Sequence, residues 1–139
     1  MDQETLVREQ VDGGAKVLAR LVEMGLDLNA AFWAKTEEAG RWYLYLAIPA
    51  VKTTGVRPVL AAAYQAIDDL AGLWSHPFEV IDPFAIRVLD ASDPMAREVT
   101  ETMHRHPGPF DTWYHTSWLG DTAVSGLFIY ALPRPVSAA

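Results

Sequence analysis

The chain is expected to fold as an α+β domain, with a single antiparallel sheet of about five strands and three helices mainly on one face. Three observations predict this. Three stretches repeat apolar residues at helical spacing or open with helix-start residues, and two stretches carry hairpin turns between aromatic and β-branched runs. The order of these elements is helix, hairpin, helix, strand, helix, hairpin. Hairpins build antiparallel sheets, and segregated helices then cover them.

Residues 3–25 place Val7, Val11, Leu18, Leu21 and Val22 at helical spacing. Glu4, Arg8, Asp12, Lys16 and Arg20 stand four apart on the opposite face, the first four alternating in sign. Gly13-Gly14 interrupts this helix at roughly 1 kcal/mol per glycine relative to alanine. It reads as a tolerated weak spot, the alternatives being a bend or a close backbone approach. Gly25 suits the C-cap.

An aromatic hairpin follows, Ala31 to Thr36 and Arg41 to Ile48, around Glu37-Glu38-Ala39-Gly40. Residues 49–57 read as a loop. A helix is then expected over residues 58–74, with Pro58 in its first turn and a stripe of Leu60, Ala63, Tyr64, Ile67, Leu70, Ala71 and Trp74. Phe84 to Leu89 has strand composition. Asp93-Pro94 starts a third helix that runs to about Arg105, because Pro107 follows. Residues 112–118 and 123–131 form the second hairpin, turning at Gly120-Asp121. Residues 1–139 make one domain, with 136–139 expected to fray.

The turn sets the expected register. A three-residue loop Glu38-Ala39-Gly40 puts positive φ at Gly40, pairs Glu37 with Arg41, and sets Trp33 opposite Tyr45 and Lys35 opposite Tyr43. Alternation then sends Phe32, Ala34, Trp42, Leu44, Leu46 and Ile48 to the core. Phe84, Ile86 and Val88 are expected inward, as are Leu127 and Ile129. Trp113 pairs with Phe128 and His115 with Gly126, leaving open space beside the imidazole. The outward face carries Trp33, Lys35, Tyr43, Tyr45, Arg87, Trp113, His115 and Tyr130. That is more aromatic surface than a monomer ordinarily leaves in water.

Composition bounds the function. The chain has 139 residues, no cysteine and a formal charge of −7, with a pI of about 4.9. Without cysteine there is no disulfide, thiolate metal site or cysteine nucleophile. The acidic balance disfavours nucleic acid and anionic membranes. No apolar run reaches membrane-span length, and Met1-Asp2-Gln3-Glu4 lacks the basic start of a signal peptide. A cytoplasmic location fits these features.

No motif names a reaction, and the enzyme question stays open. His104, His106, Asp111 and His115 offer metal-ligand chemistry at poor spacing, so no metal or other cofactor is expected. His115 offers a base, with Tyr43, Tyr45 or Arg87 positioning an oxyanion and Asp111 or Asp121 orienting the imidazole. Thr53-Thr54-Gly55 before a helix offers an anion cradle, though it reads as a capped loop. Asp68-Asp69 read as a solvated face, and Asp82, Asp90 and Asp93 as loop and cap residues. The expected function is that of an uncharacterised bacterial-type binding or interaction module, non-catalytic and homodimeric, using the aromatic face toward itself or a protein partner. The alternative is a small enzyme or small-molecule-binding protein with a pocket near His115, Arg87, Tyr43 and Tyr45.

Overall fold

The structure, a computed structural model, describes residues 8–49, 51, 55–75, 77–105, 112–114 and 118–130. The chain is α+β, with three helices and a sheet of five main strands. Helix α1 spans Arg8–Glu23, α2 Val56–Asp69 and α3 Pro94–Arg105. The strands are β1 Ala30–Thr36, β2 Trp42–Ile48, β3 Ile86–Asp90, β4 Thr112–Tyr114, β5 Trp118–Leu119 and β6 Thr122–Ile129. The sheet order is β3-β2-β1-β6-β4, with the short β5 hairpinned onto β6.

The sheet is mixed, which corrects the expected single antiparallel sheet. β3 pairs parallel to β2, with Leu44 opposite Ile86 and Tyr45 opposite Arg87. The reason lies in the connection. β2, α2 and β3 follow one another as a strand–helix–strand crossover, which returns the second strand parallel to the first.

The helices start where local chemistry favours them. Asp93 accepts the Met95 N–H with Oδ1 (3.0 Å), and Pro94 opens α3. α2 begins two residues before Pro58 and stops at Asp69, with Leu70 as its C-cap, short of the expected Trp74. Its buried residues are Val59, Ala63 and Ala66, and Tyr64 stands 41% exposed.

The core falls into two clusters, one on each side of the central strands. Ala31, Trp33, Leu44, Leu46 and Ile48 pack with Val11, Val17, Leu18 and Leu21 of α1 and Val59, Ala63 and Ala66 of α2. Ala30, Phe32, Ala34, Tyr45 and Ala47 pack with Met95, Ala96 and Val99 of α3 and with Leu119, Val124, Leu127 and Ile129. Each large apolar side chain closed in this way contributes about 1.5–3 kcal/mol.

The hairpin register is shifted by one residue from expectation. Phe32 stands opposite Tyr45, Trp33 opposite Leu44, Ala34 opposite Tyr43 and Lys35 opposite Trp42. The loop is four residues long rather than three. The Gly40 N–H reaches the Thr36 carbonyl (2.9 Å) and the Thr36 hydroxyl accepts the Ala39 N–H (3.1 Å). Gly40 does take positive φ, at 68°. A one-residue slip moves every side chain of a strand to the other face. With both faces of β1 and β2 buried, the rule of one apolar and one polar face had no purchase.

The glycine pair in α1 is a close approach and not a weak spot. A Cβ on Gly13 would lie 1.9 Å from the Glu79 carbonyl oxygen, and one on Gly14 would lie 2.3 Å from the Tyr130 hydroxyl. The helix continues through both. The segment Pro77–Glu79, one turn of 3-10 helix, is thereby seated against α1, where Glu79 takes an ion pair from Lys16.

Candidate functional site

Among the described residues, the structure separates those of the eight expected on one outward face. Trp33 (1% exposed), Tyr130 (2%) and Tyr45 (8%) are buried, against the outward placement expected for them. Trp33 and Tyr130 belong to the cluster beneath α1. The Trp33 indole N–H donates to the Tyr130 hydroxyl (2.8 Å), which donates to the Val11 carbonyl (2.6 Å). Gly14 leaves room for this junction. Such buried polar atoms need partners, and the two bonds supply them. Tyr45 lies in the other cluster, stacked on Phe32 with centroids 5.2 Å apart and planes 15° apart.

Lys35 is half-buried, in register with Trp42 on one side and Gly126 on the other. The Trp42 ring lies over Gly126, where an added Cβ would meet it at 2.5 Å. The space expected beside Gly126 is therefore filled by Trp42. Trp113 pairs with Phe128 as the turn predicts. His115 lies outside the described residues, as do His106, Asp111, Thr53 and Thr54.

Three of the eight do come together: Tyr43, Tyr45 and Arg87. β2 and β3 place them on one face, because Tyr45 and Arg87 are register partners and Tyr43 is two residues from Tyr45. The Arg87 guanidinium carbon sits 4.3 Å above the centre of the Tyr43 ring, a cation–π geometry. Tyr43 meets Tyr45 edge to face at 6.4 Å and 71°. Arg87 is exposed and Tyr43 half-buried. No ion pair joins Arg87 to a carboxylate among the described residues.

The electrostatics of the two phenols differ. Hydrogen bonding from Arg87, with its positive charge and that of Arg41, holds the Tyr43 hydroxyl below its ordinary 10.0, against a smaller opposing effect of desolvation. Burial pushes the Tyr45 hydroxyl above 10.0, with Arg87 opposing and Tyr43 and Asp93 adding to the rise.

β3 is an edge strand. β2 lies on one side of it and, among the described residues, no strand lies on the other. Just before it, Pro83–Ala85 forms one turn of 3-10 helix capped by Asp82, whose Oδ1 accepts the Phe84 N–H (2.9 Å). This turn rotates Phe84 out of the strand alternation, so Phe84 is 80% exposed and not inward as expected. The signal for it was present as Asp-Pro, a turn-starting pair directly ahead of the phenylalanine. Val80, 47% exposed, lies in the same connection.

Elsewhere, a cavity of about 580 Å³ lies between α1 and α2, lined by Lys16, Arg20, Glu23, Asp69 and Leu73. Its charges are already engaged: Arg20 pairs with Asp69 at 2.9 Å and Lys16 with Glu79. Among the described residues no three His, Asp or Glu side chains group as metal ligands, and no helix is long and apolar enough to cross a membrane. Comparison with protein-family models, with curated proteins and with solved structures found no match.

Proposed function

We propose that this chain is a non-catalytic interaction module that self-associates through the β3 edge of its sheet. The observation that carries the reading is the contrast between the hairpin interior and this edge. Phe32, Trp33 and Tyr45 are closed within the core, while Phe84 is exposed in the turn just before β3 and Arg87 is exposed on β3 over the half-buried Tyr43. Aromatic and arginine side chains are the usual anchors of protein interfaces, and an edge strand offers backbone groups to a second chain. The proposed partner surface thus keeps Tyr43 and Arg87 from the expected face and adds Phe84, with Tyr45 buried beneath them.

A dimer is stabilised by mass action, so its melting temperature rises with protein concentration. The wild-type chain is expected to show that rise, and Phe84→Asp to lose it while keeping its far-ultraviolet circular dichroism. A wild-type melting temperature independent of concentration contradicts self-association.

A second reading draws on the Arg87 guanidinium, which has no carboxylate partner among the described residues. Beside the Tyr43 hydroxyl it presents donors to a small oxyanion. On this reading inorganic phosphate raises the melting temperature of the wild type but not of Arg87→Gln. Equal behaviour of the two proteins removes it.

A further inference from the structure

We propose that two copies of this chain meet about a two-fold axis at segment 82–87, each Asp82 facing the partner's Arg87 and the two Phe84 rings packing together at the centre. This rests on the self-associating reading above and specifies the contact.

A two-fold interface uses one patch twice, so the patch must complement itself. Segment 82–87 reads Asp-Pro-Phe-Ala-Ile-Arg. It has an acid at one end, a base at the other and an exposed aromatic between them. A two-fold axis passing beside the Pro83–Ala85 turn brings each acid toward the partner's base and the two exposed Phe84 rings toward each other.

Each part is exposed and already held in place. Asp82 is exposed, and its Oδ1 is fixed by the Phe84 N–H, leaving Oδ2 without a bond among the described residues. Arg87 is exposed, and its guanidinium is held over the Tyr43 ring with no carboxylate beside it among the described residues. Preorganised side chains lose less entropy on binding. Phe84 is 80% exposed, the largest exposure among the large hydrophobic residues described.

The neighbouring acids Asp90 and Asp93 each accept hydrogen bonds within the chain. Asp90 receives the Ser92 N–H (2.9 Å) and hydroxyl, and Asp93 caps α3 through the Met95 N–H. Asp82 is the acid of this edge that stays turned to solvent. The formal charge of −7 makes two copies repel at long range, so the contact needs local pairs of opposite sign, and segment 82–87 supplies two.

The test is a charge swap read by light scattering on the full chain. Arg87→Asp and Asp82→Arg are each expected to weaken the dimer about tenfold or more. The double variant, which reverses both charges, is expected to recover the dimer. Asp82→Asn keeps the turn cap while removing the charge, and it should weaken the dimer without loss of fold. If the wild type is dimeric and neither single reversal lowers its mass, the contact lies elsewhere, and this inference fails while self-association stands. If the single variants dissociate and the double variant does not recover, the Asp82–Arg87 pairing is wrong. A monomeric wild type overturns both.

Discussion

At the scale of single residues, the packing of α1 turns on two glycines that helix propensity alone would disfavour. Gly13 lies against the Glu79 backbone, and Gly14 faces the Tyr130 hydroxyl that bridges Trp33 and Val11. Alanine in a helix is worth roughly 1 kcal/mol over glycine, which by itself makes Gly13→Ala stabilising. The obstructing atom is a backbone carbonyl 1.9 Å away and cannot rotate aside. Overpacking of this kind costs about 1–3 kcal/mol. Urea unfolding of Gly13→Ala is therefore expected to show a net loss of stability, and a gain would mean that Glu79 does not sit there.

Tyr45 makes a second residue-scale prediction. Its hydroxyl is pushed above 10.0 by burial, so its contribution to stability is fully present below 10.0 and is lost as pH rises through the raised folded value. Tyr43 has the opposite sign. Its lowered value adds stability only as pH rises through that folded value toward 10.0. Tyr45→Phe is expected to lose less stability than the wild type above pH 10.0, measured by urea midpoints across that range. Equal alkaline loss in the two proteins contradicts the buried placement of the phenol.

At the scale of elements, the β1–β2 hairpin decides which rings meet. The Thr36 hydroxyl on the Ala39 N–H belongs to the four-residue loop and has no role in a three-residue one. Thr36→Val is expected to destabilise by about 1 kcal/mol without changing the denaturant slope. An unchanged midpoint would argue against this loop geometry.

This hairpin also shows what the sequence made legible. Strand positions, the positive φ at Gly40, the Asp93-Pro94 helix start and the Trp113–Phe128 pairing follow from local chemistry and are present in the structure. The register does not follow, because a turn with glycine at its end fits loops of three or four residues, and the usual arbiter is a polar face. Here α1 and α2 side chains pack on one face of β1 and α3 side chains on the other. Both registers bury aromatic residues, and the bonds of the Thr36 hydroxyl and carbonyl to the loop distinguish them. The parallel β3 was legible in principle, since a helix stands between it and β2. Of the candidate site, Tyr43, Tyr45 and Arg87 were found as neighbours because they share parity in either register. Phe84 escapes strand alternation because the Asp-Pro turn precedes the strand, which starts only at Ile86.

At the scale of the whole molecule, the aromatic residues of the core and those near the β3 edge form two classes, with the exposed Tyr64 and Trp118 outside both. Phe32, Trp33, Tyr45, Phe128 and Tyr130 build the two core clusters. Phe84 is exposed just before the edge strand β3, and the exposed Arg87 of β3 lies over the half-buried Tyr43 of β2. The first class serves stability, and the second is proposed to serve association between copies. Sedimentation equilibrium of the wild-type chain tests that assignment most directly. The expected mass rises with concentration toward twice 15.4 kDa. A mass that stays at 15.4 kDa across the accessible concentration range contradicts it.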